Sequence, residues 1–342
     1  MEQFEKLPRL LLPWYEEHKR DLPWRRDKEP YHVWLSEVML QQTRVEAVKG
    51  YYARFLEALP TVEALANVPE EQCRKLWEGL GYYTRVRNLQ KAAREIMEKY
   101  GGVFPRDYEK IRALPGVGDY TAGAIGSICF DFPTPAVDGN VVRVLSRLTR
   151  EERVFNDPGL RREYTKKLEA VYPRNACGDF TQALMELGAT VCLPNGAPHC
   201  HNCPLQTICR ASRDGVQEQY PVRNAKKARR VEQYTVFLLR CGEKFAILKR
   251  PSKGLLADLW QFPNVRGHLT AQEALRQAET WGAKPLAPEK ILEETHIFTH
   301  VEWRMLGVYI TCSSMPDGFT WAGEEDLEKI YALPTAFRRF LK

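Results

Sequence analysis

The sequence predicts a multidomain protein, with an all-α domain first and an α+β domain after it. Three observations carry this. Up to about residue 213, apolar residues recur at helical spacing, punctuated by proline and glycine. Between 214 and 232 that pattern breaks down, and Arg223, Lys226, Lys227, Arg229 and Arg230 follow one another with no acid between. From 233 onward the period changes to that of strands. The predicted boundaries are a helical domain over 1–213, a linker over 214–232 and an α+β domain over 233–342.

A length of 342 residues suits two domains. Fifty Lys and Arg against 44 Asp and Glu give a net charge of +6, which suits a polyanionic partner without requiring one. The start, Met1-Glu2-Gln3-Phe4-Glu5-Lys6, is charged, and no stretch is long and apolar enough for a membrane span. Of nine cysteines, four crowd between Cys192 and Cys209. Without an export signal that crowding points to metal or cluster ligation rather than disulfides. The expected compartment is the cytosol, or the nucleoid in a bacterium, and the expected state is a monomer.

Residues from about Phe4 to Lys19 read as an amphipathic helix interrupted by Pro13. The loop Arg20-Asp21-Leu22-Pro23-Trp24-Arg25 follows. Tyr31 to Thr43 is apolar at most positions, so this helix is predicted to be buried on most sides. Glu37 sits in its middle. A carboxylate there is costly unless it has a partner or a task, and desolvation would keep it protonated near neutrality, as a general acid requires. The bland alternative is a Glu on one wet stripe of the helix. Gln42 and Thr43, at the helix end, carry groups that can read base edges.

Gly79-Leu80-Gly81-Tyr82 reads as a turned tip carrying two large apolar groups. Such tips unstack bases, or pack their aromatics on the core. Arg85, Arg87 and Asn88 suit backbone phosphates. The next motif is Leu114-Pro115-Gly116-Val117-Gly118-Asp119-Tyr120-Thr121-Ala122-Gly123, a helical hairpin whose turn needs Gly116 and Gly118. Unpaired N–H groups at its second helix make a phosphate seat. Asp138, in Val137-Asp138-Gly139-Asn140-Val141, lies a short loop beyond. The small residues after Thr121 predict close packing of another helix.

Cys192, Cys200, Cys203 and Cys209 are separated by seven, two and five residues. Four thiolates hold tetrahedral zinc or a four-iron cluster. Zinc sites usually bring two close Cys-x-x-Cys pairs, and only Cys200 and Cys203 form one here. Tyr234–Leu239 and Lys244–Lys249 read as a hairpin, followed by a helix over Ala271–Trp281 and strands near Ile291–His300 and Glu302–Thr311. The basic linker either is solvated or lies along a polyanion.

The hairpin and the Val-Asp-Gly-Asn-Val stretch together resemble the helix-hairpin-helix DNA glycosylase superfamily and, within it, the MutY family of adenine DNA glycosylases. The resemblance runs from about Leu11 to the last residues. It implies removal of adenine opposite 8-oxoguanine or guanine in double-stranded DNA. Ser36-Glu37-Val38-Met39-Leu40-Gln41-Gln42-Thr43 matches the family's catalytic-acid helix, so Glu37 is the expected acid and Asp138 the expected stabiliser of the sugar cation. Tyr120 and Asn140 are expected to contact the sugar or Glu37. DNA contacts are expected from Arg20, Arg25, Gln42, Thr43, Leu80, Tyr82, Arg85, Asn88, Gly116 and Gly118. The cysteine spacing resembles that of the family's [4Fe–4S] loop with one extra residue in its first gap. The C-terminal part resembles a Nudix-like domain without the acidic helix that binds magnesium, so recognition rather than hydrolysis is implied. Phe298-Thr299-His300 resembles the family's Phe-Ser-His loop for 8-oxoguanine.

One rival is an endonuclease-III-like glycosylase and lyase acting on oxidised pyrimidines. That family carries Lys where this chain has Tyr120, so the amine for a Schiff base is missing. The others are a Nudix pyrophosphatase, which the missing acidic helix disfavours, and a silent mismatch binder, which Glu37 and Asp138 disfavour.

Overall fold

The computed structural model describes residues 1–225 and 228–341. Lys226 and Lys227 of the basic stretch lie outside the described residues. The contacts divide the chain into two units, one of residues 1–67 with 88–225, the other of 68–87 with the C-terminal part of the chain. The helical domain expected over 1–213 is thus not contiguous, because 68–87 belongs with the C-terminal unit.

The first unit is helical. Its helices include Leu7–His18, Pro30–Leu40, Val45–Ala58, Asp119–Phe130, Gly139–Thr149, Pro158–Glu169 and Cys177–Thr190. The expected break at Pro13 is absent. Pro13 lies inside Leu7–His18, and the chain breaks at Lys6 instead. A proline removes only one backbone hydrogen bond from the helix. Leu7, Leu11, Trp14 and Tyr15 keep this helix on the core, together with Leu145, Leu148, Tyr164, Phe180 and Leu184.

Close packing around Asp119–Phe130 uses its small residues, but chiefly against an extended segment. A Cβ at Gly123 would lie 2.2 Å from the carbonyl oxygen of Pro135. A helix also approaches closely, at Gly178, whose added Cβ would meet the Cα of Ile128 at 2.9 Å.

The second unit is built on a seven-stranded sheet. Its strands are β1 (Arg230–Cys241), β2 (Lys244–Lys249), β3 (Trp260–Gln261), β4 (Asn264–Arg266), β5 (Pro285–Ile297), β6 (Val301–Cys312) and β7 (Thr320–Gly323). The order is β3-β2-β1-β6-β5, with β4 beside β1 and β7 beside β2. β1 and β6 run parallel, while β1 and β2 form the expected hairpin. β1 begins at Arg230, so residues 230–232 are strand rather than linker. Alternation along β1 sends Val236 and Leu238 into one core, and Phe237 and Leu239 into the other. The Ala271–Thr280 helix covers the second face through Ala274 and Ala278. The first face is covered by Leu327, Leu333 and Phe337, from the C-terminal helices and the loop between them. Among the described residues no helix is long and apolar enough to cross a membrane.

Candidate active site

Pro30 opens the Pro30–Leu40 helix at a position where its missing N–H costs nothing. Tyr31, Val33, Trp34, Leu35, Val38 and Met39 of this helix are buried around Glu37, which is only 6 % exposed. The next sequence motif supplies its partner. The hairpin turn requires Gly116, whose φ is +76° and whose added Cβ would strike Asn88 at 2.6 Å. Asn88 therefore sits beneath the hairpin. Gly118 then caps the helix in extended backbone, and Tyr120 falls in that helix's first turn. Its hydroxyl donates to Oε2 of Glu37 at 2.5 Å.

Burial raises the Glu37 carboxyl most. The Tyr120 hydrogen bond and Arg25 lower it, Asp138 raises it, and the net effect pushes it up to about 7. Burial and Glu37 hold the Tyr120 hydroxyl far above its ordinary value. Tyr120 is thus a donor, not a phenolate.

Asp138 is the N-cap of the Gly139–Thr149 helix. It accepts from the Val141 N–H at 2.7 Å and from Nδ2 of Asn140 at 2.7 Å. Burial raises its pKa, and these hydrogen bonds oppose the rise without cancelling it. Asn140 contacts Asp138 rather than Glu37. Its Oδ1 accepts from Nη2 of Arg143 at 2.8 Å. Arg143 also donates to the carbonyls of Gly188 and Cys192, each at 2.8 Å. Gly188 is required here, because a Cβ would meet Asn140 at 2.6 Å.

Glu37, Tyr120, Asp138 and Asn140 line one cavity of about 640 Å³ in the first unit. Arg20, Arg25, Gln42, Thr43, Gly116 and Gly118 line it too. Arg20 and Arg25, expected to contact DNA or the substrate pocket, stand at the pocket. Both guanidiniums are committed to Glu186, Arg20 through Nε at 2.5 Å and Nη2 at 2.9 Å, Arg25 through Nη2 at 2.7 Å. The Glu186 side chain is fully buried. Burial alone would raise its carboxyl, but the two arginines outweigh burial and hold it below the ordinary range. Gln42 adopts φ +59°, just past the helix end.

Sequence reasoning missed Glu186, Gln182 and Met185. The signal was present, since 182, 185, 186 and 189 fall on one face of a helix and all four line the cavity. It also missed Arg143 and Arg147.

Cys192, Cys200, Cys203 and Cys209 line a second cavity with Arg147. Nη1 of Arg147 donates to Sγ of Cys192 at 3.2 Å. Burial raises the Cys203 thiol to about 12, and the other three thiols add to the rise. The four cysteines line this one space. Among the described residues, no three of His, Cys, Asp or Glu are grouped as a single metal ion requires. The donor set fits a four-thiolate cluster site. The loop between Cys192 and Cys200 is exposed around Gly196, whose φ is +72°.

Leu80, Tyr82, Arg85, Phe298, Thr299 and His300 belong to the second unit. Leu80 is 7 % exposed, so it is not the protruding wedge. Tyr82, at 49 %, is the exposed group of that tip. Arg85 is buried, with Nη2 on the carbonyls of Leu80 and Gly81, so it braces the tip instead of reaching for phosphate. Phe298 packs against Trp303, with ring centres 4.9 Å apart. Thr299 and His300 are exposed at the β5–β6 turn, and Thr299 Oγ1 lies 2.8 Å from the Tyr82 hydroxyl.

Comparison with known proteins agrees with this picture. Residues 35–170 match the HhH-GPD superfamily of base excision DNA repair proteins, and residues 235–342 match the NUDIX domain. The chain is 34 % identical to an adenine DNA glycosylase of Homo sapiens, over 97 % of this chain and 72 % of that one. It is 33 % identical to one of Buchnera aphidicola subsp. Acyrthosiphon pisum, over 85 % and 82 %. Among solved structures, a thermostable thymine-DNA glycosylase matches at 28 % identity and TM-score 0.57, covering 62 % of this chain and 98 % of that one. A non-covalent endonuclease III–DNA complex matches at 26 % and 0.53, with the same coverage. Relatives alike over nearly the whole chain, Nudix-like part included, place this protein in the adenine DNA glycosylase family of the HhH-GPD superfamily.

Proposed function

We propose that the protein removes adenine paired with 8-oxoguanine or guanine in duplex DNA, and that it does so without cutting the strand. The observation that carries this is the Glu37 carboxyl, buried in a cavity, pushed up to about 7 and facing Asp138 from the same cavity. An adenine flipped into the cavity meets a protonated Glu37, which donates to a ring nitrogen. The bond between that base and its sugar then breaks, its electron pair leaving with the protonated adenine. The positive charge left on the sugar faces the Asp138 carboxylate. Water adds to the sugar, and its proton returns to Glu37. General acid assistance of this kind contributes roughly 10²–10⁴-fold, and the use of two carboxylates parallels sugar hydrolysis.

Tyr120 occupies the place of the lyase amine, which supports base release alone. Gln42, Thr43, Gly116, Gly118 and Asn88 are the proposed duplex contacts of the first unit, Tyr82 and the Phe298-Thr299-His300 turn those of the second. Cys192, Cys200, Cys203 and Cys209 would hold a [4Fe–4S] cluster, which would tie the loop together for DNA docking and supply no acid–base chemistry. The protein would act as a monomer on the DNA of the nucleoid.

The test is a duplex with one adenine opposite 8-oxoguanine, incubated with the protein and then treated with hot alkali. Cleavage at the adenine that appears only after alkali is expected. Cleavage without alkali, trapped by borohydride, would favour a lyase. Iron at about four atoms per chain is expected in protein purified without oxygen.

A further inference from the structure

We propose that Glu78 is a positioning residue for damaged-base recognition, fixing the Tyr82 tip against the Thr299 turn. The inference rests on the reading of that turn as the 8-oxoguanine contact. Glu78 immediately precedes the tip, and its side chain is only 7 % exposed. One carboxylate oxygen accepts from the Leu333 N–H at 2.7 Å. The other accepts from Nη1 of Arg338 and from Nζ of Lys75, each at 2.7 Å. Lys75 also donates to the carbonyls of Leu327 and Tyr331, at 3.0 and 3.2 Å.

Those partners flank the core in which Phe337, Trp303 and Phe298 pack in succession. Phe298 leads directly into Thr299, and Thr299 bonds back to Tyr82. The tip is thereby held at its base by Glu78 and at its apex by Thr299. Between these points it is braced internally. Nε1 of Trp77 donates to the Gly81 carbonyl at 3.1 Å, and the Gly79 N–H donates to the Tyr83 hydroxyl at 3.0 Å. Tyr82 itself has φ +48°, a conformation that a bulky side chain keeps only where its surroundings impose it. A tip braced in this way moves as one piece, so the clamp at its base sets where the Tyr82 ring lies.

An ordinary surface ion pair would not do this. Here the carboxylate is desolvated and also holds a backbone N–H, so loss of its charge weakens its hold on the mostly buried Lys75 ammonium and on the Leu333 N–H. The consequence is specific. Groups unique to 8-oxoguanine need the tyrosine and the turn in register, whereas extraction of adenine depends on Glu37 and Asp138.

The test uses the full chain on 8-oxoguanine·adenine and guanine·adenine duplexes, measuring affinity and single-turnover adenine release. Glu78→Gln is expected to reduce the preference for 8-oxoguanine about tenfold, through affinity. Its release rate on guanine·adenine at saturating protein is expected to stay within about twofold, because no group of the cavity changes. Arg338→Met, which leaves the carboxylate in place, is expected to show the same signature. The double variant is expected to be no worse than the worse single variant, because one bond is removed twice. Parallel losses on both duplexes would mark Glu78 as merely structural and overturn the proposal. So would a preference retained in both single variants while the wild type shows one, or losses that add in the double variant. A wild type with no preference would instead overturn the 8-oxoguanine reading on which the proposal stands.

Discussion

The Tyr120 hydroxyl donates to Glu37 at 2.5 Å from the first turn of the hairpin's second helix. This bond favours the charged carboxylate, while burial and Asp138 favour the neutral acid. Burial dominates, and the acid stays protonated up to about 7. Glu37→Gln should therefore lower adenine release by roughly 10²–10⁴-fold with mismatch affinity nearly unchanged. The wild-type rate should be level at acid pH and fall as pH rises through about 7. Single-turnover rates between pH 5 and 9 test both statements, and release within tenfold of wild type would remove Glu37 as the acid.

The same shift makes a stability prediction. The folded pKa lies above the ordinary 4.5, so between 4.5 and about 7 the folded state binds the extra proton. Stability from this group is fully present below 4.5 and is lost as pH rises through about 7. A shift of this size corresponds to about 3 kcal/mol. Glu37→Gln should then raise the melting temperature at pH 8 and change it little at pH 4. Equal changes at both pH values would contradict the assigned shift.

Glu186 makes the opposite case. Its carboxylate is kept charged by Arg20 and Arg25, so removing the charge leaves two guanidiniums in a partly buried place. Glu186→Gln should cost about 3 kcal/mol, as expected when one member of a buried ion cluster is lost. Urea unfolding measures it. A cost under about 1 kcal/mol would class the cluster with surface ion pairs.

Much of the first unit was legible in the sequence because its determinants are local. The hairpin follows from Pro115, Gly116 and Gly118, and the buried setting of Glu37 follows from the apolar run around it. The ion pairs of Glu186 were not legible, because its partners lie about 160 residues away in sequence, although its place on one helix face with 182, 185 and 189 was. Leu80 and Arg85 misled for a related reason. A leucine between glycines and an arginine after them look exposed, but the side-chain bonds of Arg85 to Leu80 and Gly81 turn the tip inward upon itself. The grouping of 68–87 with the C-terminal unit rests on tertiary contacts such as Arg87 to Asp258, at 2.9 Å. No periodicity encodes those.

Arg143 connects Asn140 to the carbonyl of Cys192, so the Asp138 side chain and the cysteine loop share one hydrogen-bonded chain. Arg143→Met should free Asn140 and weaken the hold on Asp138. Adenine release should fall about tenfold or more, as for the loss of charge-assisted hydrogen bonds, with all four cysteines unchanged. Iron content measured beside the rate separates the two ends of the chain. A loss of rate at full iron content locates the effect at Asp138, whereas an unchanged rate would show that Asn140 holds Asp138 unaided.

Thr299 stands exposed at the β5–β6 turn. Its hydroxyl is not idle without DNA, since it pairs with Tyr82 at 2.8 Å. Reading 8-oxoguanine therefore requires an exchange, in which Thr299 turns from the tyrosine toward the N7–H of the base. The net gain is what remains after the old bond is lost, so it should be modest, about 0.5–1.5 kcal/mol of preference over guanine. Thr299→Ala should lose that amount. Tyr82→Phe keeps the ring and the Glu78 clamp that places it, and removes only the competing hydroxyl, so the Thr299 hydroxyl is released for the base and the preference should rise or hold. The two variants thus move the preference in different directions, although each breaks the same bond. Affinity and single-turnover release on both duplexes measure it. An equal loss of preference in both variants would show that the Tyr82–Thr299 bond persists on DNA, and the exchange would have to be abandoned.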